Sequence, residues 1–315
     1  MSWNGTPLVS TYIDSLQLNA VVPASLRSVN GNIVVVNPDG KTSGSTTVVV
    51  TPKVSINSGG IVPNDSAVPV IQPGSWISIY GLGLASGNYV WNADFPVSLN
   101  GTSVTIDNKP AYLWYVSPTQ INLQAPDDPT TGAVTVTVTS PAGTATSTVT
   151  LAPYGPSFSL LGDGKHVAGQ IALVGGGYDL VGPAGLFPFS TRPVNPGEVL
   201  ILYGAGFGPT TPVVPAGQLF SGAARTTTPV TITIGGVPAN VAFSGITEAG
   251  LYQFNLTVPA GTGTGDQLLQ ATVNGISTPS GPVVTIGAQQ GKAIGWKALQ
   301  PPRPQSLPPG YSGGV

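Results

Sequence analysis

The chain holds a single histidine, His166, in the run Gly162-Asp163-Gly164-Lys165-His166. A carboxylate three residues before an imidazole can orient it as a general base. With a serine from elsewhere in the chain, the pair would make a hydrolase of esterase or glycosidase type, built on His166 and Asp163. The competing interpretation is a solvated turn with charged residues at its tip. No Gly-x-Ser-x-Gly lies between a strand and a helix, so no nucleophile elbow is expected. Asp127-Asp128, with Asp94 and Asp107 as further carboxylates, offers either a pair for glycoside hydrolysis or a Ca²⁺ site at one end of a domain. Asp127-Asp128-Pro129 is equally ordinary turn chemistry. With one histidine and no cysteine, transition-metal sites and disulfides are not expected, and no cofactor other than that Ca²⁺ is anticipated.

Two further groups of residues invite a chemical interpretation. Gly204-Ala205-Gly206-Phe207-Gly208 has the wrong spacing for a dinucleotide loop, and Pro209 and Pro212 prevent a following helix. Tyr80, Trp91, Trp114, Tyr115, Tyr203 and Tyr252 could stack on sugar rings, although aromatics in strands usually fill a core. Trp91 is the candidate ligand contact, because Asn88-Tyr89-Val90-Trp91-Asn92 is irregular and should leave its ring exposed.

The elements that must position these groups are strands. Charged residues are 7% of the chain against roughly 25% in an average globular protein. The 43 glycines and 32 prolines come with 41% hydrophobic residues and a net charge of −2, which separates the chain from disordered sequences. Alternation such as Val134-Thr135-Val136-Thr137-Val138 puts valines on one face and threonines on the other. Ten basic residues without a cluster exclude a nucleic-acid footprint. Ile171 to Phe189, the most apolar stretch, is broken by glycines, prolines and Asp179, so no membrane span is expected.

Internal repetition organises the chain. An element ending in Gln-x-Asn-x-x-x-Pro occurs as Gln17-Leu18-Asn19 with Pro23, Gln120-Ile121-Asn122 with Pro126, and Gln253-Phe254-Asn255 with Pro259. The first two copies keep one offset of 103 at Pro7/Pro110, Gln17/Gln120 and Pro23/Pro126. An opening element precedes only the later copies: Pro73-Gly74 through Tyr80-Gly81, and Pro196-Gly197 through Tyr203-Gly204.

These stretches, with Tyr112 to Asn122 and Gly250 to Asn255, resemble the IPT/TIG immunoglobulin-like family, and especially the C-terminal repeat domains of secreted soil-bacterial proteins. The resemblance implies an all-β chain of tandem immunoglobulin-like β-sandwiches, the first incomplete. The expected divisions are a half-domain at 1–52, a sandwich at 53–153, a linker with a hairpin at 154–192, a second sandwich at 193–288, and a Pro/Gly-rich disordered tail at 289–315. It further implies an extracellular or cell-surface spacer or adhesion module, with polysaccharide or a surface protein as partner and no reaction. Met1 to Gly5 resembles no signal peptide, so that signal and the missing opening strands are expected upstream. Alternatively, the half-sandwich self-associates by accepting strands from a partner.

Overall fold

The computed structural model describes residues 1–23, 26, 30–49, 53–64 and 70–287. The expected tail at 289–315 lies outside the described residues. Among them there is no α-helix; the chain is all-β, in two compact units that divide after Val54.

The Val/Thr alternation becomes the hairpin Gly132–Ser140 and Gly143–Leu151, closed by Pro141 and Ala142. Val134, Val136 and Val138 are buried, whereas Thr135 and Thr139 face solvent. This hairpin and Thr102–Ile106 form one sheet of the first complete sandwich, to which Val70–Ile71 adds as a parallel edge. The other sheet runs in the order Tyr89–Val90, Tyr112–Val116, Gln120–Gln124, Trp76–Leu82, Ser55–Pro63. Its inner residues Ile77, Ile79, Leu113, Val116, Ile121 and Leu123 are all fully buried. Each such side chain contributes about 1.5–3 kcal/mol by leaving water.

The second complete sandwich repeats the plan around strands Val199–Ala205, Leu251–Thr257 and Asn240–Glu248, opposed by Val230–Ile234 and Gly265–Val273. Its core centres on Phe158, Phe207 and Phe254, whose rings lie 4.4–5.9 Å apart. The hairpin expected within 154–192 is present as Gly169–Ala172 and Tyr178–Leu180, turned through Gly175-Gly176-Gly177. Gly169–Ala172 pairs with Val199–Ala205, and so does Ser157–Phe158, so the segment supplies edge strands to the second sandwich. The physical reason is the buried pattern of Phe158 and Ile171, apolar residues that reach the core only when their backbone joins that sheet.

The unit 1–54 retains the register of the later copy. Ser2 and Trp3 pair with Val34 and Ile33, just as Thr105 and Ile106 pair with Thr137 and Val136, each residue displaced by 103. Beside that sheet stands the hairpin Val9–Asp14 and Gln17–Val21.

Candidate functional site

The outer face of the sheet containing Gln120–Gln124 gathers three of the chain's five tryptophans. A β-bulge makes this arrangement. Leu113 pairs with Leu123 and Tyr115 with Asn122, leaving Trp114 as the extra residue. The extra residue lets Leu113 and Val116 both point inward while Tyr112, Trp114 and Tyr115 stay half-buried outside. Trp91 continues the ladder, its N–H donating to Trp114 O at 2.9 Å. The Trp76 ring meets Trp91 at 5.7 Å and Trp114 at 5.9 Å, both edge to face, and Phe95 packs 4.6 Å from Trp91. Trp91 is therefore half-buried in a cluster rather than free in a loop, a placement that the irregular local sequence could not reveal.

Amide groups line the same face. Gln120 Nε2 donates to Asn122 Oδ1 at 2.8 Å, and the Ser78 hydroxyl lies 2.9 Å from that oxygen. The bond recurs in every copy, from Gln253 to Asn255 at 2.8 Å and from Gln17 to Asn19 at 3.3 Å. The repeated Gln-x-Asn is thus a same-face pair two residues apart on a strand.

The tryptophans are not repeated. The second sandwich has the same bulge, with Val241 paired to Leu256 and Phe243 to Asn255, but its extra residue is Ala242. Val199 opposite Thr257 stands where Trp76 stands opposite Gln124. The fold therefore forms without tryptophan at either position.

Part of the face is the joint between the two sandwiches. Trp76 Nε1 donates to Ala249 O at 2.7 Å, and Gln124 Oε1 and Asp127 Oδ2 accept from the N–H groups of Gly217 and Ala216 at 2.9 and 3.0 Å. Gly217, with a φ of +77°, lies so close to the Tyr112 ring that a Cβ would overlap it. Gly206, of the glycine-rich Gly204 to Gly208 run, likewise approaches Gly155 O and Gln72.

The other sequence candidates are placed as follows. His166 is 4% exposed, so the turn is not solvated at its ring. Nδ1 lies 2.5 Å from Asp163 Oδ2, and Nε2 lies 3.2 Å from Asp266 Oδ2, a partner 100 residues away. Both ring nitrogens thus face carboxylates, and none of the hydrogen bonds described for the ring involves a serine hydroxyl. Lys165 Nζ, 2.7 Å from Asp266, holds that carboxyl down at about 2 against the opposing effect of burial, with Thr285 and His166 assisting. Burial raises the Asp163 carboxyl, but hydrogen bonds from His166 and Lys165 outweigh it and leave its pKa below the ordinary value.

Asp127 and Asp128 serve different partners. Asp127 reaches Ala216, whereas Asp128 is buried against Lys109, whose ammonium is 2.6 Å from Oδ1. Burial raises the Asp128 carboxyl, yet the Lys109 and Thr130 contacts bring it down to about 2. The positive charge at Asp128 is a lysine's. Asp107 accepts from Thr130, and Asp94 from the N–H of Asn92. No group of three or more His, Cys, Asp or Glu able to hold a metal ion occurs among the described residues. Tyr252 is a core residue donating to Gly208 O, and Tyr203 bonds Gln170, as strand aromatics should. No helix among the described residues is long and apolar enough to cross a membrane. A cavity of ≈ 250 Å³ is lined by residues including Asp179 and Arg192, but its arginine is already paired with Asp179 and Glu198.

No curated protein matches the chain. Among solved structures, the chain is similar to a Bacteroides ovatus mixed-linkage glucan utilization locus protein, SGBP-B, in complex with a mixed-linkage heptasaccharide. Identity is 14% over 82% of this chain and 52% of that one, with a TM-score of 0.34. It is also similar to the plexin A4 extracellular region, at 12% identity over 80% of this chain and 21% of that one, TM-score 0.27. A titin immunoglobulin tandem aligns at 10% identity over 69% of this chain and 90% of that one, TM-score 0.17. The chain thus spans about half or less of the first two proteins. The IPT/TIG domain family model matches residues 60–152, the stretch that carries the bulge, the Gln-x-Asn pair and the tryptophan cluster. This segment, the first complete sandwich, is similar to IPT/TIG domains.

Proposed function

We propose that the chain is a recognition module of an extracellular protein, and that its first complete sandwich binds polysaccharide across Trp91 and Trp114. One observation carries this reading. The bulge that turns Trp114 outward is matched in the second sandwich by Ala242, so the ring is surplus to the fold. A partly exposed indole on the same sheet face as the amides of Gln120 and Asn122 offers an apolar face for a sugar ring, and those amides offer polar groups for its hydroxyls. No charge is needed for a neutral glycan, which accords with a chain that is 7% charged.

Affinity electrophoresis through gels containing neutral polysaccharides tests the proposal, comparing the parent chain with Trp91→Ala and Trp114→Ala. Retardation by at least one polysaccharide, weakened in both variants at unchanged circular dichroism, is the expected result. If the parent migrates freely in every gel, or the variants are held as strongly, the glycan reading fails. The joint favours a spacer role alongside: Trp76, Gln124 and Asp127 fasten the two sandwiches by direct hydrogen bonds rather than by a loose linker.

A further inference from the structure

The face that carries Trp114 is closed in one direction along its strands and open in the other. Towards Gln124 it runs into the joint: Gln124 is buried, its Oε1 accepts from Gly217, and the Trp76 indole N–H is taken by Ala249. Away from the joint the same two strands continue, with Ser78 opposite Asn122 and Tyr80 opposite Gln120. Paired residues of adjacent strands share one side of a sheet, so these side chains extend the tryptophan face. Tyr80, Gln120 and Asn122 are all half-buried there, and no residue of this row is charged. Their polar groups keep unused capacity. Asn122 Oδ1 faces Gln120 and Ser78, which leaves the two N–H bonds of its amide without a partner among the described residues. The Tyr80 hydroxyl makes none of the described hydrogen bonds either. Its counterpart Tyr203 donates to Gln170 Oε1 at 3.2 Å, from a strand that runs beside Val199–Ala205. The matching edge of the first sandwich is interrupted instead: Ile56 pairs with Gly81 and Ile61 with Ile79, so residues 57–60 bulge opposite Tyr80, with Asn57 and Ser58 exposed.

We propose that the ligand of this face is a neutral glycan chain longer than a disaccharide, which runs from Trp114 past Asn122 and Gln120 to stack on Tyr80. The inference rests on the glycan reading above and adds the direction and length of the bound chain. The joint forbids the opposite course, because the second sandwich already holds Gln124 and Trp76. Trp76 and Tyr80, four residues apart on one strand, are separated by about 13 Å, more than two linked sugar rings span. The uncharged amides between the two aromatic ends suit sugar hydroxyls, and the phenol gives the far ring an apolar face. Tyr80 is thereby a ligand contact, whereas Tyr203 in the second sandwich spends its hydroxyl on the fold.

Isothermal titration calorimetry on the full chain tests this. The probes are cello-oligosaccharides and xylo-oligosaccharides of two, four and six units, with fragments of the same sizes from any other polysaccharide that retards the chain in a gel. Affinity for at least one series rises by about tenfold or more from two units to six. Tyr80→Ala brings the ratio of those two affinities close to one, Tyr80→Phe, which keeps the ring, preserves most of it, and Trp114→Ala lowers affinity at every length. A flat length series in the parent, no binding of six-unit chains, or a ratio unchanged in Tyr80→Ala overturns this proposal while leaving the tryptophan site standing. Free migration of the parent in every gel removes both. The parent's length series decides by itself if Tyr80→Ala does not fold.

Discussion

Replacing Trp114 by alanine separates what the bulge does for the fold from what the ring does for a ligand. The backbone geometry needs no tryptophan, because Ala242 occupies the matching bulge. The substitution leaves Leu113 and Val116 fully buried and removes one edge-to-face contact, 5.9 Å from Trp76. Such a contact is worth about 0.5–1.5 kcal/mol. A stability loss of about 1 kcal/mol lowers Tm by roughly 2–4 °C in a unit of this size. A comparable loss of contact with a bound sugar, about 1.4 kcal/mol, weakens affinity about tenfold. Differential scanning calorimetry and affinity electrophoresis on one preparation measure both. The comparison is Leu113→Ala, which empties a fully buried site and costs about 2–5 kcal/mol. If Trp114→Ala destabilises as much as Leu113→Ala, the indole belongs to the core and the reasoning is refuted.

The joint, the acid range and the repeat motif each yield a further prediction. Gly217→Ala sets a Cβ into the Tyr112 ring and forces a non-glycine residue to a φ of +77°, a strain of about 1–2 kcal/mol; small-angle scattering should show a wider spread of sandwich orientations, and an unchanged profile would contradict the joint described above. Asp266 and Asp128 have folded pKa values near 2, below the ordinary 3.8, so their stabilisation is present above about pH 4 and is lost as pH falls towards 2. Urea midpoints measured across that interval should fall, and Asp266→Asn should flatten the decline; a parallel decline in the variant would remove Asp266 from its cause. Asn122→Ala strands the Gln120 amide and one contact of Ser78, lowering stability by about 1–3 kcal/mol in urea titration, with no effect at all as the contrary outcome.

Fold class and repeat plan were legible in the sequence because both depend on short-range periodicity. Alternating Val and Thr over 134–138 chooses one buried face whatever lies opposite, and the offset of 103 between copies reappears as identical pairing of Trp3 with Ile33 and Ile106 with Val136. The site was legible only in part. Trp91 stood out as an aromatic in irregular sequence, but Trp114 read as one more strand aromatic, because a bulge is a property of pairing and Leu113-Trp114-Tyr115 gives no sign of which residue will be extra. A comparison of the copies could have found it, since Ala242 departs from Trp114 at the same position. His166 and Asp163 were adjacent enough to be joined by inspection; Asp266, which occupies the other ring nitrogen, comes from a strand 100 residues away and only packing brings it there. The same holds for Asp127, whose oxygen is taken by Ala216, and for Trp76, whose indole N–H is taken by Ala249. Local pattern decides which face of a strand is buried, whereas the partner of a polar side chain is decided by which distant backbone the closed sandwiches bring within hydrogen-bond reach.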